Sequence, residues 1–221
     1  MAGVAAPAMA ANLLVNGNFE ATGFGGTTTY YNIGTAPGTG GSGGPDHPIP
    51  SDFGWKVPTQ VVDDVVVNNV DIVANNNLFA PKLTNGGAYV LDLVGYGSTG
   101  AIEQSIGTVA NQLYNLTFEY SSNNGINGPT AQVDGNGVIG SVTGTHAWQT
   151  FTGSFVGTGS PVNISITEGV GGGNAGVFLD NVSVSAAPEP STWALMMLGI
   201  GGVGAAARMA RRKEGQAALV A

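Results

Sequence analysis

The sequence predicts an all-β protein, an antiparallel sandwich of two sheets, followed by a short apolar helix near the C-terminus. Three observations carry this. Tyr114, Leu116, Phe118 and Tyr120 alternate with Asn115, Thr117 and Glu119, and Val162, Ile164 and Ile166 alternate with Asn163 and Ser165, which is the period of a strand with one buried face. Glycine, 37 of 221 residues, acts with Asn, Ser, Thr and Pro to cut the other apolar runs to strand length. No helical period of useful length occurs before Pro188.

In chain order, residues 1–11 ("MAGVAAPAMAA") lack a basic start and hold only a stub of apolar sequence. Ala8-Met9-Ala10 nevertheless has the small-x-small form of a signal-peptidase site. The segment reads as the remnant of a truncated signal peptide, with the mature chain beginning near Ala11 or Asn12. Residues 12–187 are long enough for one domain with a real core. Beyond the two alternating segments, the strand candidates are Leu13 to Phe19, Val61 to Val67, Ala88 to Val94, Ala101 to Ile106, Trp148 to Phe155 and Val177 to Val184. Residues 23–50, rich in Gly and Pro, read as one long functional or disordered loop. Ser121 to Gly128 reads as a shorter connection. Eight or more such strands make a two-sheet sandwich.

Charge separates the chain into a body and a tail. Of six Lys and Arg, four (Arg208, Arg211, Arg212 and Lys213) fall within six residues of the tail. Residues 12–187 hold twelve acids against Lys56 and Lys82, a formal charge of −10, and no arginine. Such a surface repels nucleic acid and anionic headgroups. Divalent cations and neutral polymers are the expected partners. Zero cysteines exclude a disulfide framework and a Cys-ligated metal.

Residues 193–207 are uncharged. As a helix they would span about 22 Å at about 1.5 Å per residue, against a hydrocarbon core of about 30 Å. Four glycines weaken the segment further, and by the positive-inside rule the basic cluster that follows stays cytoplasmic while the body is exported. Pro188-Glu189-Pro190, then a short apolar segment, then an Arg-rich cluster resembles the PEP-CTERM sorting signal of Gram-negative bacteria. The resemblance implies that an exosortase-type membrane enzyme recognises Pro188, Glu189 and Pro190, with residues 193–207 as a transient transmembrane sorting helix and Arg208, Arg211, Arg212 and Lys213 as the membrane stop. It also implies a place in the cell envelope, at the surface or in the extracellular polysaccharide matrix. Residues 188–213 form this signal and 214–221 a trailing tail, longer than such signals often carry.

A second resemblance covers the body. "NLLVNGNFE" (Asn12 to Glu20), "GW" (Gly54-Trp55), "GGAYVLDLVG" (Gly86 to Gly95), "GAIEQSI" (Gly100 to Ile106), "YNLTFEYS" (Tyr114 to Ser121) and "FLDNVSV" (Phe178 to Val184) occur in the order seen in galactose-binding-like jelly rolls. The pattern is similar to the DUF642-like, choice-of-anchor group and, more distantly, to carbohydrate-binding modules. Many such jelly rolls hold a structural calcium ion (Ca2+) where first and last strands meet, which the resemblance carries onto Glu20 and Asp180. Calcium takes six to eight oxygens, and backbone carbonyls can supplement two carboxylates. The alternative is that Glu20 is an exposed loop acid and Asp180 a hydrogen-bonded cap.

Nothing in the sequence marks a catalyst. His47 and His146 have no HExxH or GxSxG context, and no phosphate-binding loop or dinucleotide fingerprint joins a strand to a helix. Paired carboxylates can always be imagined among twelve acids, so their presence does not define a glycan hydrolase. A sugar site would use aromatic faces with amide and carboxylate partners. Tyr30, Tyr31 and Tyr96 are the loop candidates, whereas Trp55 and Trp148 are expected in the core.

Overall fold

Short strands tied by non-local pairing organise the body. The computed structural model describes residues 11–21, 30–34, 46–47, 49, 51–58, 60–62, 65–67, 69–74, 87–95, 100–122, 128–170, 176–188, 198–199, 201–203 and 208. The strands are β1 (Tyr30–Gly34), β2 (Asp46–His47), β3 (Gln60–Val62), β4 (Val65–Val67), β5 (Asn69–Ala74), β6 (Tyr89–Asp92) and β7 (Ala101–Ile106), followed by β8 (Leu113–Ser122), β9 (Thr130–Gly135), β10 (Val138–Thr143), β11 (Gln149–Val156), β12 (Val162–Val170) and β13 (Val177–Ala186). One sheet runs β11-β8-β13-β6-β5-β1-β2, a second β10-β9-β12-β7, and β3-β4 form a separate hairpin. The β1–β2 pair is parallel and the others are antiparallel. From β7 onward the chain passes back and forth between the two large sheets, the connectivity of a jelly roll.

Alternation dictates the core. Leu116 and Phe118 from β8, Leu179 and Val184 from β13, and Val70 and Ile72 from β5 meet Ile102 of β7, Val133 of β9 and Ile164 and Ile166 of β12. All of these are essentially fully buried, each contributing about 1.5–3 kcal/mol of transfer free energy. Phe19, Phe53 and Trp55 add an aromatic cluster, and the Trp55 indole N–H donates to Asn16 O at 3.0 Å. Val73, Val90 and Phe178 form a second buried cluster with the half-buried Trp148 against it. Because neighbouring Val177 and Leu179 face the main core, Phe178 lies on the other side of the large sheet.

Several expectations need correction. Leu13 to Phe19 is not a strand: Asn16 (φ 50°) and Phe19 (φ 55°) bend it. It is held to the last strand instead, with Leu13 N donating to Val184 O at 2.8 Å and Val182 N to Gly17 O at 2.7 Å. Residues 23–50 are not simply a loop, since they contain β1 and β2. The run Val61 to Val67 divides into β3 and β4. The hairpin β9–β10 and strand β5 were not anticipated. Ala101 to Ile106 is a strand with the expected bounds, and Trp55 is buried as expected.

The chain divides into two compact units, Met1–Ala186 and Ala187–Ala221. In the second, residues 198–199, 201–203 and 208 are helical. No helix among the described residues is long and apolar enough to cross a membrane, and most of the segment 193–207, where a transmembrane helix is expected, lies outside the described residues.

Candidate functional site

Asp180 lies on β13 opposite Glu119 of β8. Directly after it the strand bulges and Asn181 adopts φ 52°, a left-handed conformation that Asn tolerates better than most residues. This turns the Asn181 amide onto both acids: Nδ2 donates to Glu119 Oε2 at 2.9 Å and to Asp180 Oδ2 at 3.1 Å, while the Asn181 backbone N donates to Asp180 Oδ1 at 2.8 Å. Asp180 is buried. Glu20 Oε1 accepts from the backbone N–H groups of Ala88 at 2.7 Å and Tyr89 at 3.2 Å, where β6 begins. Glu119 was missed as Asp180's neighbour. Its place among the polar positions of the alternating strand 113–122 put it on the outward face, but the pairing of β8 with β13 is non-local.

Among the described residues, no group of three or more His, Cys, Asp or Glu side chains could hold a metal. Calcium on Glu20 and Asp180 would thus take most of its oxygens from backbone carbonyls.

Two other acids are buried more unusually. Asp92 Oδ1 accepts from Val94 N at 2.9 Å, and Glu168 Oε2 accepts from Val177 N at 3.2 Å. Glu168 thereby links β12 of the smaller sheet to β13 of the larger. Its other oxygen, Oε1, is buried without a hydrogen-bond partner. Burial pushes the Glu168 carboxyl from 4.5 up to about 8, against the opposing effect of the Val177 N–H. Burial also holds Asp92 well above the usual carboxylate range; the Val94 N–H opposes this and the nearby Asp71 and Glu168 charges add to it. With about 5 % and 4 % of their surfaces exposed, Asp92 and Glu168 serve the fold rather than an external ligand.

The outward face of the smaller sheet is polar. Ser165 of β12 stands between Asp134 of β9 and Glu103 of β7, and Gln132 of β9 stands between Thr167 and Ser141. Gln132 Nε2 donates to Asp134 Oδ2 at 2.9 Å, Asn163 Nδ2 donates to Glu103 Oε2 at 2.7 Å, and the Ser165 and Thr167 hydroxyls are 3.3 Å apart. Side chains fixed by one another in this way offer directed donors and acceptors with little ordering cost.

Of the expected ligand tyrosines, Tyr96 lies outside the described residues. The backbones of Tyr30 and Tyr31 belong to β1, in register with Val73 and Ile72, rather than to a loop. Pro188 is exposed just past β13, and Glu189 and Pro190 lie outside the described residues. Arg208 is exposed and helical, while Arg211, Arg212 and Lys213 are also outside.

The class thus defined is an all-β antiparallel jelly-roll sandwich with a separate C-terminal sorting segment. Residues 186–213 match the PEP-CTERM protein-sorting motif, which marks an exported, surface-associated protein. No curated protein matches the chain. Solved structures similar to it include TmCBM61 in complex with β-1,4-galactotriose, at 16 % identity and a TM-score of 0.46, over 80 % of this chain and 99 % of that one. The CBM22-1 xylan-binding domain of Paenibacillus barcinonensis Xyn10C is similar at 12 % identity and a TM-score of 0.44, over 61 % of this chain and 86 % of that one. A family 35 carbohydrate-binding module from Clostridium thermocellum is similar at 16 % identity and a TM-score of 0.40, over 60 % and 99 %.

Proposed function

We propose that the chain is a non-enzymatic structural or adhesive component of the exopolysaccharide layer of a Gram-negative bacterium, released or transferred to the surface after an exosortase-type enzyme acts at Pro188-Glu189-Pro190. The observation that carries this reading is the sorting motif at residues 186–213 joined to a body that forms its own compact unit. The polar face around Gln132, Asp134, Asn163 and Ser165 supports it, because a row of directed hydrogen-bonding groups suits many weak contacts along a bulk polysaccharide. The same face, with the TmCBM61 likeness alongside it, is what a second reading would use: a carbohydrate-binding module with one defined glycan site.

The reading includes a structural calcium ion that clips the first and last segments of the body through Glu20 and Asp180. It also includes Tyr30, Tyr31 and Tyr96 as stacking groups for neutral sugars. A pull-down of the protein with host exopolysaccharide tests these together. Calcium bridging fails in EDTA and weakens in high salt, while stacking survives both and fails in the Tyr30→Ala, Tyr31→Ala, Tyr96→Ala triple variant. Retention under none of these conditions, calcium-rich buffer included, overturns the matrix role. Tight saturable binding of one oligosaccharide favours the second reading.

A further inference from the structure

Among the described residues the two large sheets end in the edge strands β11, β2, β10 and β7. Three of these edges are blunted. β2 is two residues long, and β10 carries a register shift between Val138 and Gly140. β7 is met on its free side by Lys56, whose N donates to Glu103 O and whose O accepts from Glu103 N, both at 2.9 Å. Short strands, irregularities and covered edges are devices that keep sheets from pairing with one another. β11 has none of them. Its eight residues pair with β8 without a shift from Gln149↔Tyr120 to Val156↔Leu113, and Gln149–Val156 holds neither an ionisable side chain nor a proline.

The end of β11 shows which of its backbone groups face outward. Gly157 turns both of its groups to the β7–β8 connection, its N donating to Gln112 O at 2.8 Å and its O accepting from Asn111 N at 2.9 Å. By alternation, the N–H and C=O groups of Thr150, Thr152, Ser154 and Val156 point away from β8, to the edge. Val156 O is taken by Asn136 Nδ2 at 3.2 Å, whereas the edge groups of Thr150, Thr152 and Ser154 have no partner among the described residues. All three residues are exposed. Glu119, the acid in register with Thr150, lies one strand inside the edge and is held by Asn181 Nδ2.

We propose that β11 pairs antiparallel with β11 of a second copy of the chain, about a two-fold axis at Thr152, and so joins two large sheets edge to edge. A residue on such an axis meets itself, so a charge there would repel its twin. Threonine opposite threonine is instead a favourable cross-strand pair. In this register Thr150 faces Ser154 of the second copy and Phe151 faces Gly153 of the second copy. Hydroxyls therefore meet hydroxyls on the outer face, and no two rings stand opposite each other on the inner one. Every edge N–H and C=O of Thr150, Thr152 and Ser154 gains a partner. The dimer presents the polar face of β9 and β12 twice, which strengthens weak contacts with a polymer through multivalency.

Sedimentation velocity of the full chain over a wide concentration range should show a dimer that Thr152→Lys abolishes and Ser105→Lys, at an exposed position of β7, leaves intact. The absence of cysteine allows a second, register-specific readout. Thr152→Cys places two thiols across a pair whose Cα atoms are about 5.5 Å apart, and a short bis-maleimide should link them into a covalent dimer. Thr150→Cys lies about 14 Å from its own copy at about 3.4 Å per residue, and should link only when mixed with Ser154→Cys. This pattern carries the test if Thr152→Lys disturbs the fold. A Thr152→Lys protein that still dimerises, or Thr150→Cys linking to itself as fast as Thr152→Cys, overturns the edge pairing and assigns association to another surface, residues 187–221 included. A chain that stays monomeric and unlinked at every concentration overturns it outright.

Discussion

Replacing Glu168 by Gln should exchange a pH-dependent stability for a nearly constant one. The Glu168 carboxyl is pushed from 4.5 up to about 8 in the folded protein. Between those values the folded state holds a proton that the unfolded chain releases, so this contribution is fully present below pH 4.5 and is lost as pH rises through about 8. At about 1.4 kcal/mol per pH unit, the loss reaches on the order of 4 to 5 kcal/mol. The substituted amide keeps an oxygen for Val177 N but places an N–H2 group where Glu168 Oε1 has no partner, a cost of about 1–3 kcal/mol. The variant should therefore be the less stable protein at pH 4.5, match the parent between about pH 5 and 7, and exceed it by about 1 to 4 kcal/mol at pH 9. Asp92, whose carboxyl the Glu168 charge helps to raise, is relieved of that charge in the variant, which adds to the gain at high pH. Urea unfolding followed by tryptophan fluorescence at a series of pH values measures this directly. Parallel curves from pH 4.5 to 9 would refute a Glu168 that is protonated in the fold.

Two further outcomes follow from the junction of the first segment with the last strand. A Cβ on Gly17 would run into the carbonyl oxygen of Val182, so Gly17→Ala should weaken the Val182 N to Gly17 O link and cost about 1–3 kcal/mol in the same urea assay. If calcium is shared by Glu20 and Asp180 in the folded state alone, it should stabilise by about 2.7 kcal/mol at 100 times its dissociation constant, and EDTA should reverse this. Identical melting in calcium and EDTA, with Asp180→Asn removing no calcium response, would eliminate the ion.

The legible parts of the fold were those where local pattern and tertiary environment agree. Ala101 to Ile106 and the alternating runs 114–120 and 162–166 bury one face each, and period two announces it. The same period places Glu168 next in the inward series after Ile164 and Ile166, so a buried acid was within reach of the sequence. The β9–β10 hairpin also had its signal in Asn136-Gly137, whose φ angles of 55° and 106° suit a tight two-residue turn. Surrounding glycines masked it, since Gly135 and Gly140 interrupt the apolar pattern. Leu13 to Phe19 misled for the opposite reason: its composition is that of a strand, but left-handed Asn16 and Phe19 are imposed by contacts with Phe53, Trp55 and β13 far along the chain. The pairing of Asp180 with Glu119 through Asn181 depends on a bulge between non-adjacent strands, which no local pattern encodes.

The central claim is that residues 186–213 are a sorting signal consumed as the body reaches the surface. Intact-mass measurement of the protein recovered from the surface fraction of its native host tests it most directly. The account predicts a chain that ends in the Pro188-Glu189-Pro190 region, without residues 193–221. A surface-exposed form that still carries Arg211 to Ala221 would contradict it.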